Sequence, residues 1–251
     1  MIDAGLPPDD AARRFYLVDK DGLLVDDMND IHSFQQPFLQ PRAALASWNT
    51  GNASRISLLD VIYNAKPTAL IGVSAQTGAF NESVVRAMAK HNQRPIIFPL
   101  SNPSSCAEAT PADIDRWSDG RAIIGAGSPF PPIKRNGQPF SVDQSNNSYI
   151  FPGVGLGAIA THASRISDRM FMAAAKALAE LSPARGNPEA NLLPRVTQLR
   201  EVAIAVAVAV GKQAHAEGLT SGVSADGIEE AVRAKMWTPR YYPYRRAGTK
   251  A

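Results

Sequence analysis

Short apolar runs alternate with polar stretches that carry helix caps. Ala69-Leu70-Ile71-Gly72-Val73, Pro95-Ile96-Ile97-Phe98 and Ala122-Ile123-Ile124 are near-continuous apolar runs of strand length, the pattern of strands buried on both faces. Between them Asn81 opens a helical run to Ala89, and Thr110-Pro111-Ala112-Asp113 opens another. Asn and Thr are strong N-caps, and proline suits the first helical position. This alternation predicts βαβ units and a parallel sheet, an α/β fold with helices on both faces. Upstream, residues 1–5 read as the last turn of a helix closed by Gly5, and residues 7–14 as a short helix with its prolines and acids first. Phe15-Tyr16-Leu17-Val18 reads as a strand ending in Asp19, residues 31–50 as irregular, and residues 57–63 as an amphipathic helix stopped by Pro67. Downstream, Asn136-Gly137 is a two-residue hairpin signal. Ser167 caps a helix to Leu178, and residues 182–194 form a proline-punctuated loop. Residues 201–213 alternate Val or Ile with Ala. The period alone suggests a strand, but the length, the alanines and the polar flanks favour a buried helix.

Composition narrows the class without changing this outline. The 251 residues suit one large domain or one and a half small ones, with ordinary hydrophobic (45%) and charged (20%) shares for a soluble globular protein. The net charge of +3 is scattered, densest at Arg240 with Arg245-Arg246. No basic face is interleaved with aromatics, so nucleic acid is not an expected partner. The single cysteine, Cys106, excludes an internal disulfide. The longest apolar run, residues 202–211, is too short for a bilayer, and the start does not resemble a signal peptide. The expectation is a reduced, cytoplasmic protein with no membrane contact.

Candidate chemistry gathers at the ends of the apolar runs. The stretch from Gln144 to Gly157 sets Asn146-Asn147 before Tyr149-Ile150-Phe151-Pro152 and the alternate glycines Gly153, Gly155 and Gly157. Carboxamides both donate and accept, and glycines leave room for a close approach. Leu100-Ser101-Asn102-Pro103 and Gly125-Ala126-Gly127-Ser128-Pro129 repeat this hardware after two predicted strands. Strand ends furnished in this way imply a ligand at the carboxyl edge of the sheet. The glycine spacing at 153–157 is not that of a dinucleotide fingerprint. Ser128 lacks the glycine frame and histidine partner of a nucleophile elbow. His32, His91, His162 and His215 are widely separated, and no spacing suggests a metal site in this chain. Asp19 reads either as a turn residue in Asp19-Lys20-Asp21-Gly22 or as the strand-end acid that binds an adenosine ribose. Asn146 and Asn147 are either a turn or helix cap or ligand contacts.

Taken in order, Val18-Asp19-Lys20-Asp21-Gly22-Leu23-Leu24, Leu70-Ile71-Gly72-Val73-Ser74, Arg94-Pro95-Ile96-Ile97-Phe98-Pro99-Leu100-Ser101-Asn102-Pro103, Gly125-Ala126-Gly127-Ser128-Pro129-Phe130 and Asn146-Asn147-Ser148-Tyr149-Ile150-Phe151-Pro152-Gly153 resemble the NAD-binding domain of malic enzymes over essentially the whole chain. The resemblance implies a Rossmann-like sheet lacking its first strand and phosphate loop, with a partial NAD-binding domain at 1–164 and a helical region at 165–251. It implies oxidative decarboxylation of malate to pyruvate and CO2 in the whole enzyme, with NAD and Mg or Mn, and a homo-oligomer. By the same resemblance Asp19 binds the adenosine ribose, and the backbone of Val73 and Ser74 lies against the dinucleotide. Asn102 touches nicotinamide ribose and malate. Asn146 and Asn147 contact cofactor and substrate, with Asn147 on malate. Gln35, near a position where NADP-preferring relatives place lysine, favours NAD over NADP. The family's catalytic tyrosine and lysine and its metal-binding acids lie upstream of the matching region. The isolated chain is therefore expected to be inactive without the missing N-terminal half, its truncation being either a mis-started reading frame or deliberate. The alternatives are a catalytically silent dinucleotide- or dicarboxylate-binding module, or a fragment that keeps the sheet and binds nothing.

Overall fold

The structure is a computed structural model that describes residues 1–52, 54–135 and 137–244. Asn136 of the hairpin signal and Arg245-Arg246 of the basic tail lie outside the described residues. The chain divides into two compact units, Met1–Ser145 and Asn146–Ala251. That division falls ahead of the 164/165 boundary expected from sequence, because the helix that opens the second unit packs on a later one.

The first unit begins with a short helix, α1 (Pro8–Ala12), and a hairpin of β1 (Val18–Asp19) and β2 (Gly22–Leu23). Here the sequence reading needs correction. Residues 15–18 do not join the parallel sheet. The strand is only Val18–Asp19, and it pairs antiparallel with β2 in the register Asp19↔Gly22. The cause is local. Gly22 adopts φ 98°, and an added Cβ there would lie 2.6 Å from the Ile56 carbonyl oxygen. The turn closes at once, and a side chain at 22 is excluded.

The remaining elements follow the predicted alternation. They are α2 (Leu58–Ala65), β3 (Ala69–Gly72), α3 (Glu82–His91), β4 (Ile96–Pro99), α4 (Pro111–Trp117) and β5 (Ile123–Ala126). The hairpin β6 (Ile133–Arg135) and β7 (Gln138–Phe140) comes next, then β8 (Asp143–Gln144), a strand not anticipated from sequence. The sheet order is β3-β4-β5-β8, all parallel. The starts of α2, α3 and α4 carry side-chain caps, the last two as expected from sequence. The Ser57 side chain accepts from the Asp60 N–H while Asp60 accepts from the Ser57 N–H, Asn81 accepts from Val84, and Thr110 accepts from Asp113. Such caps contribute about 1 kcal/mol each. On one sheet face Leu70, Ile97 and Ile124 pack against Val84, Val85, Met88 and Ile114. Full burial of each large side chain contributes about 1.5–3 kcal/mol. Arg121 donates to the carbonyls of Ala89, Asn92 and Gln93, placing a cation at the negative end of α3.

The second unit is helical: α5 (Phe151–Ala160), α6 (Asp168–Glu180), α7 (Leu199–Ala216) and α8 (Ile228–Lys235). The alternating Val/Ile-Ala segment is helical, as its length and alanines favoured. The sequence did not suggest α8, nor that a helix, α5, already begins at Phe151. The residues Phe151-Pro152-Gly153-Val154-Gly155-Leu156-Gly157 are not an open glycine loop but the first turns of α5. Their glycines serve helix packing. A Cβ on Gly153 would lie 2.6 Å from the Val206 Cβ, and one on Gly157 would lie 2.6 Å from the Ala207 carbonyl oxygen. The close approach expected at these glycines is that of α7.

These contacts sort the glycines of α5. Gly157→Ala should destabilise the chain by about 1–3 kcal/mol, since a backbone carbonyl must move. Gly155, whose added Cβ would meet nothing within 4 Å, should gain about 0.5–1 kcal/mol on the same substitution from helix propensity. Urea denaturation of the two variants beside the parent checks the opposite signs.

Candidate functional site

Three parallel strands end side by side, and the loops that leave them are tied together. The central tie is Glu108, a residue sequence reading passed over. It is fully buried, at 0% exposure. Its carboxylate accepts from the Ser101 hydroxyl at 2.5 Å, and from the Ser74 N–H at 2.9 Å and hydroxyl at 3.1 Å. The Ser101 hydroxyl in turn accepts from the Ala75 N–H at 2.8 Å. Glu108 therefore fastens the loop after β3 to the loop after β4. Gly72 makes space for it, because a Cβ there would lie 2.5 Å from the Glu108 Cδ. Ala75 takes φ 54°, a left-handed conformation uncommon for a residue with a side chain. A signal existed in the sequence: an acid inside Ala107-Glu108-Ala109, a short apolar setting just before a helix cap.

Burial pushes the Glu108 carboxyl up. The Ser101 hydroxyl, the Ser74 N–H and the Ser74 hydroxyl outweigh it, and hold the group below the ordinary glutamate range. The charged form is thus the one built into the fold.

A second tie joins the loops after β4 and β5. The Ser128 hydroxyl donates to Asn102 Oδ1 at 2.5 Å, and Asn102 Nδ2 donates to the Leu100 carbonyl at 3.3 Å. Asn102 is exposed, whereas Ser128 is buried. The two backbones run close together at this point. A Cβ on Gly127 would lie 2.1 Å from the Leu100 carbonyl oxygen. Val73 and Ser74 are exposed on the neighbouring loop. The Ser74–Glu108–Ser101 tie and the Ser128–Asn102 tie thus stand side by side on the carboxyl edge of the sheet, where α/β sheets bind ligands.

Asp19 lies elsewhere in the same unit, at the end of β1. It is exposed, and accepts from the Lys20 N–H at 2.7 Å and from Gln35 Nε2 at 3.3 Å. The two residues singled out for the adenosine end are therefore in contact. Both readings of Asp19 remain chemically sound, since it flanks a two-residue turn and still presents its carboxylate to solvent. Asn146 and Asn147 belong to the second unit. The Asn146 side chain accepts from the Ser148 N–H at 2.9 Å, a helix-cap role, while Asn147 begins a short 3-10 turn and is exposed.

A parallel α/β sheet with serines, an amide and closely spaced backbones at its strand ends defines a protein of the nucleotide-cofactor-binding class. Residues 1–215 match the family model described as malic enzyme, NAD binding domain; the chain belongs to the malic enzyme family, and to that domain of it. Among its relatives are the NAD-dependent malic enzymes of Pectobacterium carotovorum subsp. carotovorum, 45% identical over 246 residues, and of Pseudomonas aeruginosa, 46% identical over 242. The matches take in 98% and 96% of this chain but 43% of each relative, so the chain spans less than half of their length. The crystal structure of Entamoeba histolytica malic enzyme is similar in fold, with a TM-score of 0.68, 22% identity and coverage of 93% of this chain and 43% of that one. The malic enzyme from Pyrococcus horikoshii Ot3 follows, at TM-score 0.55 and 22% identity over 85% of this chain and 43% of that one. The expected Rossmann-like α/β fold is borne out. Among the described residues its sheet has four strands.

The buried carboxylate yields a pH test. A lowered folded-state pKa stabilises the fold above the unfolded value of about 4.3, and that contribution fades as pH falls through the folded value. Glu108→Gln should cost about 2 kcal/mol at pH 7, because an amide NH2 faces donors where a charged acceptor stood. The gap between parent and variant should shrink steadily below about pH 4.3. Urea denaturation at stepped pH measures it, and a gap constant from pH 7 to 3 would contradict the assignment.

Proposed function

We propose that this chain is the cofactor- and substrate-orienting portion of an NAD-dependent malic enzyme, whose overall reaction is oxidative decarboxylation of malate to pyruvate and CO2. The observation that carries the reading is the tied row of strand-end loops, found in a chain whose residues 1–215 match the family's NAD-binding domain. NAD, when bound, supplies the hydride acceptor. The residues present suit the ends of a dinucleotide: exposed Asp19 for ribose hydroxyls, and exposed Val73 and Ser74, whose backbone would lie against it. Asn102 holds the nicotinamide ribose and malate, Asn146 holds cofactor, and Asn147 holds cofactor and malate. Gln35 beside Asp19 brings no positive charge to meet a 2′-phosphate, which supports NAD over NADP.

A divalent metal is a different matter. Among the described residues no three His, Cys, Asp or Glu side chains are grouped to hold one. The described residues do not fit Mg or Mn. The groups that bind it and move protons are assigned to the part of the relatives outside the match, so an N-terminal half is the implied partner. A homo-oligomer in the cytoplasm completes the proposal. In support, no helix among the described residues is long and apolar enough to cross a membrane, and the lone cysteine suits a reducing compartment. The lack of a metal-ligating group also favours a second reading, a silent module that binds a dinucleotide or dicarboxylate. Restored turnover on adding the N-terminal half separates the two.

The isolated chain should not reduce NAD with malate. It should bind NAD only in the upper micromolar range or more weakly, roughly 5 kcal/mol of binding free energy; calorimetry and absorbance at the NADH band check both. In the enzyme completed with the N-terminal portion of the Pectobacterium relative, Asn102→Ala and Asn147→Ala should each lower kcat/KM for malate roughly fivefold to 150-fold, a loss of about 1–3 kcal/mol. Ser128→Ala, which loosens Asn102 without removing its amide, should cost less. Asp19→Ala should raise the KM for NAD with little change in kcat. Near-parental malate kinetics in both asparagine variants would make those residues turn formers only.

A further inference from the structure

We propose that Phe34, held flat against His32, is the platform on which the adenine ring of the dinucleotide lies. The ligand's identity rests on the proposed reading; the platform rests on the geometry of residues 32–40.

Phe34 is 70% exposed. A lone phenylalanine on a surface needs no explanation, but this one is held in place. Its ring lies parallel to the His32 imidazole, with centroids 5.4 Å apart and planes 6° apart, the offset stack that flat rings favour. The backbone beneath it is fixed as well. Phe34 sits inside a turn closed by two bonds, from the Gln35 N–H to the His32 carbonyl at 2.9 Å and from the His32 N–H to Gln35 Oε1 at 3.1 Å. Further along, Phe38 packs edge-on against Phe15, and the buried Gln40 donates to the Arg13 and Phe15 carbonyls at 3.2 and 2.7 Å. A surface ordered in advance loses little freedom when a ligand settles on it.

The position of this ring selects the ligand. Gln35, the next residue, donates to the Asp19 carboxylate at 3.3 Å. Neighbouring Cα atoms are about 3.8 Å apart, so Phe34 stands beside the acid proposed for the ribose hydroxyls. In adenosine the base and the two hydroxyls are carried by one five-membered sugar ring. A ribose whose diol meets Asp19 therefore brings its base to the neighbourhood of Phe34. Aromatic side chains take bases by stacking, which uses the π-face that every base has. Asp19 then reads the sugar and Phe34 holds the base. An apolar contact with another protein would also use an exposed phenylalanine, but it would need neither a flat ring nor an adenosine.

The test titrates the 251-residue chain, with isotope-labelled phenylalanine rings, against ADP-ribose and in parallel against nicotinamide mononucleotide, which lacks adenine. Nuclear magnetic resonance follows both partners. ADP-ribose should shift the Phe34 ring signals and move its own adenine ring protons upfield, as a base over an aromatic face does. Phe34→Ala should raise the dissociation constant for ADP-ribose about tenfold or more, and leave that for nicotinamide mononucleotide unchanged. Phe34→Trp keeps a flat ring and should hold the parental value. Phe34→Leu keeps only apolar bulk and should behave like the alanine variant. The side chain is exposed, so all three should unfold in urea near the parental midpoint. ADP-ribose affinity indifferent to Phe34→Ala would overturn the inference. So would a leucine variant that matches the parent, upfield shifts that persist in Phe34→Ala, or no ADP-ribose bound at about 10 mM. The malic-enzyme reading fails separately. ADP-ribose binding that depends on Phe34, with no malate oxidation once the N-terminal portion is added, sinks that reading alone. Malate oxidation with parental NAD affinity in Phe34→Ala sinks only the platform.

Discussion

A single buried carboxylate governs the carboxyl edge of this sheet. A charge removed from water is tolerated only when hydrogen bonds replace the water it loses. Glu108 obtains them from Ser101 and Ser74, on two different loops. Neither loop can drift without stranding the charge, so the cost of burial enforces their alignment. The strands alone would not do this. A parallel ladder sets spacing and register, but it ends at the last paired residue and leaves the following loop undetermined. Gly72 and Gly127 are the steric counterpart of the same constraint. One leaves room for the carboxylate, and the other lets the ends of β4 and β5 approach within a distance that any Cβ would prevent. Asn102, the exposed amide in this row, is oriented by a buried neighbour, Ser128, so its direction is set before any ligand arrives.

The second unit solves a different problem with the same residue type. A helix made only of apolar residues and glycines has no polar face to fix its orientation. Gly153 and Gly157 fix it instead, because only that side of α5 can approach α7 closely enough to bring the backbones together. The valines and alanines of α7 form the matching surface, with Val206, Ala207 and Val210 all fully buried. The period-two alternation of α7 is thus a by-product of filling a helix with small and β-branched residues, and not a strand pattern.

Much of the first unit was legible because its signals are local. Asn81 and Thr110 cap the helices they were expected to cap, and the three apolar runs pair as the expected parallel strands. The failures share the opposite property. Residues 15–18 look like a sheet strand, but a parallel strand needs a neighbour far away in sequence, and a turn four residues on offers a nearer partner. The glycines after Phe151 look like a ligand loop, because the helix that fills their empty side begins more than forty residues later. Glu108 was missed as a site residue because its local mark, two flanking alanines before a helix cap, is faint, and the partners that satisfy its charge, Ser74 and Ser101, are 34 and 7 residues away.

Asp19 shows how a turn residue can keep its carboxylate free for other work. The hairpin holds Asp19 by its own geometry and by the Lys20 N–H, so one lone pair is committed to the turn while the carboxylate stays exposed. Gln35 reaches it from sixteen residues away, and the Gln35 Oε1 also accepts from the His32 N–H at 3.1 Å. The amide therefore cannot swing away without giving up two partners. On the proposed reading this pair decides between the two nicotinamide dinucleotides without a dedicated device. A carboxylate accepts hydrogen bonds from a ribose diol but repels a phosphate on the same ring, and a neutral amide held against it offers no compensating charge. The turn chemistry that keeps residues 15–18 out of the parallel sheet thus also fixes the direction of the Asp19 carboxylate.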